Sequence, residues 1–324
     1  MVFIAITTLI IVLILLICFY IFRTAFYSPR KGRATPEDPM KGKQYEEVGE
    51  NILLATHVME KFPFEAVTIS SFDGTVLYGR YYHLKDGAPL EILFHGYRSC
   101  AFRDCSGGHA LARKMGFNTL VVDQRAHGES GGSVITFGVK ERRDCLCWIE
   151  YAGSRFGAET PVILSGLSMG AATVLMAAGL DLPKNVSCIM ADSPYSTPSA
   201  IIEKVCKDMH YPPLLCRPFI HLSALLFGHF KLDGCTAKEA VSHAKIPILL
   251  IHGEADHFVP CDMSAEIKSA CASRAEIFTF PGAGHGLSYL IDPLRYERVT
   301  YDFLNTIPEV SGFISEKFIS QLES

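Results

Sequence analysis

The chain predicts an α/β fold: a mostly parallel eight-stranded sheet with helices on both faces and an inserted helical cap, preceded by one transmembrane helix. Three observations point there. Short, almost unbroken apolar runs recur along the chain, stretches of helical length separate them, and about 20 apolar residues stand at the front. Of the 324 residues 49% are hydrophobic and 20% charged, which excludes disordered and collagen-like classes. With 30 basic against 34 acidic side chains there is no electrostatic footprint for nucleic acid.

Residues 2–20 carry no charge and are rich in Ile, Leu and Val. A run of that length spans a bilayer as a helix. It is longer than the apolar stretch of a signal peptide, and no small-x-small cleavage site follows before Phe26-Tyr27-Ser28-Pro29. Residues 1–22 therefore read as an uncleaved single-pass anchor. Arg23, Arg30, Lys31, Arg33, Lys41 and Lys43 follow the span, and by the positive-inside rule they place the rest of the chain in the cytoplasm. The cysteines agree. Ten of the 11 lie between Cys100 and Cys271 without framework spacing, many in apolar runs, as free thiols do in a reducing compartment. There is no C-x-x-C and no H-E-x-x-H, so no metal site and no cofactor is expected.

Residues 23–63 read as a juxtamembrane linker and lead-in, and 64–324 as the α/β domain that carries the cap. Strands are expected at 66–71, 76–82, 90–95, 118–123, 162–166, 187–192, 246–252 and 276–280, the first two joined at Asp73-Gly74 as a hairpin. Helices are expected at 104–115, 138–155, 169–180, 262–272 and 292–306. The more than 50 residues between the sixth and seventh strands exceed what a crossover needs, so a cap is expected at about 194–245. Within 211–230 the single formal charge is Arg217, and this apolar insertion reads as a lid lining a substrate pocket.

Gly166-Leu167-Ser168-Met169-Gly170 fits G-x-S-x-G, a pattern that chance supplies in about one sequence in ten at roughly 7% usage per fixed residue. The apolar run Pro161 to Ser165 before it and the helical run Ala171 to Ala178 after it make it the strand, sharp turn and helix of a nucleophile elbow. A serine hydroxyl needs a base, and the base an orienting acid. Asp256 follows the seventh strand and His285 stands in the Gly-rich loop after the eighth, so these are the candidate acid and base. Glu254 and Asp192 are rival acids and His257 a rival base. The N–H of Met169, at the helix start, and that of Tyr97, in the loop after the third strand, are the candidate oxyanion donors. His95, Arg125 and His127 read as loop-bracing side chains.

The series H-G-Y, D-Q-R-A-H-G-E-S, G-L-S-M-G, H-G-E-A-D and G-A-G-H-G resembles the α/β-hydrolase superfamily over roughly 64–306. It looks most like the branch with serine aminopeptidase-like hydrolases, monoacylglycerol lipases and membrane-anchored acyl thioesterases. The resemblance implies a triad of Ser168, His285 and Asp256 working through an acyl-enzyme. The chain departs from many lipases in having Tyr97-Arg98 where they have a further Gly. The expected function is a membrane-anchored serine hydrolase of acyl esters or thioesters whose partner is a small apolar acyl substrate. A serine peptidase is the alternative, one that would want acidic residues such as Glu203 and Asp208 to hold a peptide amino terminus. The oligomeric state is left open. The expected rate rises with acyl chain length, and Leu225 and Phe227 are the cap residues expected to carry that rise.

Overall fold

The computed structural model describes residues 1–38 and 42–323, so Lys41 of the basic run lies outside the described residues. Helix α1 (Val2–Ile21) continues into a short π-helical turn (Phe22–Phe26). A 3₁₀ turn (Lys43–Tyr45) and α2 (Gly49–Glu60) lead to β1 (Glu65–Ser70), β2 (Val76–Tyr82) and β3 (Leu90–Phe94). Strands and helices then alternate through α3 (Ala101–Met115), β4 (Asn118–Asp123), α4 (Glu141–Phe156), β5 (Val162–Leu167), α5 (Met169–Ala177) and β6 (Val186–Asp192). The insertion holds α6 (Pro198–Asp208), α7 (Pro213–Leu226) and α8 (Ala237–Val241). After it come β7 (Ile248–Gly253), α9 (Asp262–Ala270), β8 (Ala275–Phe280), α10 (Ser288–Ile291), α11 (Pro293–Asn305), α12 (Pro308–Ser311) and α13 (Glu316–Glu323).

The eight strands form one sheet in the order β1-β2-β4-β3-β5-β6-β7-β8. β2 runs antiparallel to β1 and β4, and the remaining pairs are parallel. Both faces are covered, which is why the inner strands are buried at nearly every position and mostly apolar, rather than apolar only at alternate ones. Along β7, Ile248 and Leu250 join the core under α4 and α5, while Leu249 and Ile251 join the core under α3 and α11. Each such fully buried side chain contributes about 1.5–3 kcal/mol.

Two segments depart from the sequence expectation. The first is the lead-in over 23–63, which is built into the domain. Phe26 is completely buried, edge-on to Phe137 at 5.7 Å and to Phe230 at 5.4 Å. Its carbonyl accepts from the Ile135 N–H at 2.8 Å, and the Ser28 N–H donates to the Ser133 carbonyl at 2.8 Å. The Arg33 guanidinium donates to the carbonyls of His127, Gly128, Ser130 and Gly132 at 2.6–3.1 Å. Helix α2, unforeseen, sets Ile52, Thr56 and Met59 inward and packs on α3.

The second departure is the cap over 194–245. α8 is a core helix, with Ala237, Ala240 and Val241 buried and the helix packed on α5 and α9, and α6 contributes Ile201 and Ile202 to the same core. α7 lies against α1 instead of covering the sheet edge. Phe227 meets Phe19 at 5.4 Å and Phe22 at 5.9 Å, and the Cys18 thiol points to the Phe219 carbonyl at 3.7 Å.

Candidate active site

The turn from β5 into α5 forces Ser168 into a left-handed backbone with φ of 56° and ψ of −115°. That strain is tolerable because strand and helix come closer here than side chains allow. A Cβ at Gly166 would stand 2.3 Å from the Gly170 carbonyl carbon, and one at Gly170 would stand 2.1 Å from the Phe94 carbonyl oxygen. Only glycine fits either place, and the packing lifts the Ser168 hydroxyl to the C-terminal edge of the sheet.

The loops after β7 and β8 meet that hydroxyl. Ser168 Oγ is 2.9 Å from His285 Nε2, and His285 Nδ1 is 2.7 Å from Asp256 Oδ2. With the proton on Nδ1 donated to Asp256, Nε2 is free to accept from Ser168. Asp256 Oδ1 accepts from the N–H groups of Phe258 at 2.9 Å and Val259 at 2.8 Å. Burial raises the Asp256 carboxyl, but the hydrogen bonds of His252 and His285, the His285 charge and the Val259 N–H outweigh it and hold the group well below the usual carboxylate range. His252 lies 3.3 Å from Asp256 and is itself held between the Ser264 hydroxyl and the Val259 carbonyl.

The rivals go elsewhere. Asp192 accepts from the Ser193 and Tyr296 hydroxyls, and burial lifts its carboxyl to about 6. Glu254 takes the Thr279 hydroxyl, and His257 is exposed, offering its carbonyl to Lys204. His95 and His127 brace loops, as expected. His95 Nε2 accepts from the Gln124 N–H at 3.0 Å and His127 Nε2 from the Arg98 N–H at 2.9 Å. Burial keeps both rings neutral by lowering their pKa. Arg125 is locked between Asp73 and Asp144.

Among the described residues no acceptor takes the N–H of Tyr97 or of Met169. Their turn adjoins the serine, since a Cβ at Gly96 would lie 3.4 Å from the Ser168 Cβ. The Gly96 N–H is fixed by Asp104 at 2.8 Å, and Arg98 holds a left-handed φ of 50° where glycine would be unstrained. Arg98 is kept there by its side chain. Its guanidinium donates to the Thr24 carbonyl at 3.0 Å, the Tyr27 carbonyl at 2.8 Å and the Tyr97 hydroxyl at 2.7 Å. The Tyr97 hydroxyl in turn donates to the Ala25 carbonyl at 2.7 Å. The π-helical turn after α1, with its cap residue Tyr27, thus grips the loop that bears one candidate oxyanion donor.

Ser168 and His285 open onto a cavity of about 390 Å³ lined by Tyr45, Ile52, Ala55, Leu93, Met190 and Leu290, among others. No residue of 194–245 lines it. The roof is the lead-in: Gln44 Oε1 accepts from the His285 N–H at 3.1 Å, and the Tyr45 hydroxyl donates to the His285 carbonyl at 3.2 Å. Sequence reasoning missed Gln44, Tyr45 and Asp104. Only Asp104 left a signal, as an acid in the first turn of the helix after the H-G-Y loop.

The family model described as Alpha/beta hydrolase family matches residues 92–299. The chain is 22% identical to protein YqkD of Bacillus subtilis over 276 residues, 85% of this chain and 88% of that one. It is 28% identical to human protein ABHD12B over 219 residues, 63% of this chain and 58% of that one. In structure it is similar to the Pyrococcus furiosus esterase Pf2001, with a TM-score of 0.64 at 21% identity over 83% of this chain and 97% of that one. It is likewise similar to Est1E of Butyrivibrio proteoclasticus, solved with ferulic acid, with a TM-score of 0.55 at 19% identity over 72% and 100% of the two chains. With its eight-stranded sheet, its Ser168 turn and a family match over most of its length, the chain belongs to the alpha/beta hydrolase family.

Proposed function

We propose that the protein is a membrane-anchored serine hydrolase that cleaves acyl esters or thioesters through an acyl-enzyme. The observation that carries this is the unbroken hydrogen-bonded series from Ser168 through His285 to Asp256 at the mouth of a cavity with apolar walls. His285 takes the Ser168 proton as Oγ attacks the acyl carbon. The N–H groups of Tyr97 and Met169 receive the negative oxygen, and Asp256 steadies the imidazolium that forms. His285 then gives the proton to the leaving alkoxide or thiolate. A water, deprotonated by the same ring, attacks the acyl-enzyme, releases the acid and returns the proton to Ser168.

The peptidase alternative loses support from its carboxylates. Glu203 is paired with Arg217 and Asp208 with Lys204, all outside the cavity. Anchoring rests on α1, which is apolar, 20 residues long and exposed along most of its length. A cytoplasmic domain is supported by Arg23 and Lys31 and by the ten free thiols from Cys100 to Cys271. Arg30 and Arg33 bind the domain itself, so their charge has a structural use as well.

A fluorophosphonate probe on the full chain tests the chemistry. Labelling and turnover of a butyryl ester are expected in the wild type and absent in Ser168→Ala. Labelling that persists in Ser168→Ala refutes the assignment. Extraction of wild-type membranes with alkaline carbonate tests the anchor, and the protein is expected to stay in the pellet.

A further inference from the structure

Helix α7 has one side on α1 and another that is exposed among the described residues. Against α1 it buries Cys18 and Phe22, through the Phe219 carbonyl and the Phe227 ring. Away from that contact, Leu214 is 80% exposed, Leu215 66% and Leu225 51%, with Tyr211 beside them at 55%. The one formal charge of the helix, Arg217, is neutralised by Glu203. Monomeric proteins seldom show water a patch of that kind.

The contact with α1 fixes the level of this face. The first charge after the apolar helix is Arg23, and Cys18 stands five residues before it, about 7.5 Å along the axis at 1.5 Å per residue. Phe219 of α7 and Phe227 at its C-cap are therefore held on the hydrocarbon side of the Arg23 boundary, within the roughly 5–10 Å depth at which amphipathic helices lie in a leaflet. The neighbouring surface of α1 presents Leu15, Leu16, Phe19 and Tyr20, all exposed and apolar. Two apolar helices that meet at Phe19 and Phe227 share one solvent.

We propose that α7 is a second, monotopic membrane element, lying in the boundary between headgroups and acyl chains of the leaflet that receives the charged end of α1, with Leu214, Leu215 and Leu225 among the lipid tails. This rests on the anchor reading of α1 and extends it. The occupant of the face is phospholipid acyl chain; a second copy of the protein is the competing occupant.

The chain contains a single tryptophan, Trp148, 1% exposed in the core, which serves as an internal reference. Full-length Leu214→Trp and Leu225→Trp are reconstituted in phosphatidylcholine and phosphatidylglycerol vesicles, with and without bromine on the acyl chains. Leu294→Trp, at a 73% exposed site on α11, is the control. The emission added at 214 and at 225 is expected to be blue-shifted and to fall by about two-fold or more over brominated lipid, as contact at that depth requires. Trp148 and the residue at 294 should hold their intensity. Added emission that iodide quenches and bromine does not puts α7 in water and overturns the proposal. A blue shift that grows with protein density without bromine quenching assigns the face to a second copy and also overturns it. Loss of wild-type protein from the vesicles in alkaline carbonate brings down the anchor reading itself, a result distinct from either.

Discussion

Two segments beside the sheet exchange the parts their compositions suggest. The lead-in over 42–60, which carries Lys43, Glu46, Glu47, Glu50 and Glu60, supplies Gln44, Tyr45, Ile52 and Ala55 to the cavity beside Ser168. The apolar insertion over 211–230 supplies none and lies on α1. Apolar composition states that a helix needs cover; it does not state which surface gives it. A polar segment, for its part, can roof a site with a few well-placed side chains while the rest faces water.

The largest effect comes from the residue both segments are measured against. Ser168→Ala should lower ester turnover by about four powers of ten while melting within a few degrees of wild type; ester kinetics and thermal scans read both. Retained activity would move the chemistry away from this cavity and void the contrast.

Next in size is the grip of the π-helical turn after α1 on the Tyr97 loop. The double variant Tyr97→Phe, Arg98→Ala removes the bonds to Ala25, Thr24 and Tyr27. It should lower kcat by about thirty-fold, less than the loss of an oxyanion donor outright, with KM for an acetyl ester within about two-fold. An alkyl trifluoromethyl ketone, which needs the same donor, should weaken in step. A rise in KM alone would make these bonds mere packing.

Smaller again is the contrast in chain length. Each methylene buried is worth about 0.8 kcal/mol, so Ala55→Trp, which fills part of the cavity, should cut kcat/KM for an octanoyl ester about ten-fold more than for acetyl. Leu225→Asp should leave the ratio of the two esters within about two-fold of wild type. That reverses the expectation drawn from sequence, which placed Leu225 and Phe227 at the pocket. If Leu225→Asp flattens the series and Ala55→Trp does not, the insertion is the lid after all.

The smallest effect tests the cavity floor, where burial raises Glu91 to about 7 from its ordinary 4.5. Across that interval the folded protein keeps a proton that the unfolded chain has released. The stability this lends is whole below about pH 4.5 and is lost as pH climbs through 7. Glu91→Gln should therefore melt like wild type at pH 5 and roughly 3 °C or more above it at pH 8. Parallel melting curves at both pH values would place Glu91 in contact with water.

The sheet was legible because parallel strands covered on both faces read as short, nearly continuous apolar runs. Each expected strand is present, with ends within two residues of those read from sequence. Ser168, Asp256 and His285 were legible because each stands at the C-terminal end of such a strand in a Gly-rich or acidic turn. α2 was not, since its buried stripe is only Ile52, Thr56 and Met59 and its exposed Leu53, Leu54 and Val58 blur the helical period. Nor were the bonds of Gln44 and Tyr45 to His285, or of Arg98 to Thr24, because they join residues 74 to 241 positions apart, and local patterning records no such partnership.

Arg33, spanning four carbonyls of the loop over 127–132, leaves the passage from α1 to the domain without slack. Were α1 to span a bilayer as proposed, the domain could not swing out to sample the surrounding solution; it would turn and drift only with its helix. Encounters with membrane-borne substrate are then two-dimensional, governed by molecules per unit area. At constant bulk ester, diluting the ester with inert lipid should slow turnover in proportion to its surface mole fraction, while adding more vesicles of the same composition should not.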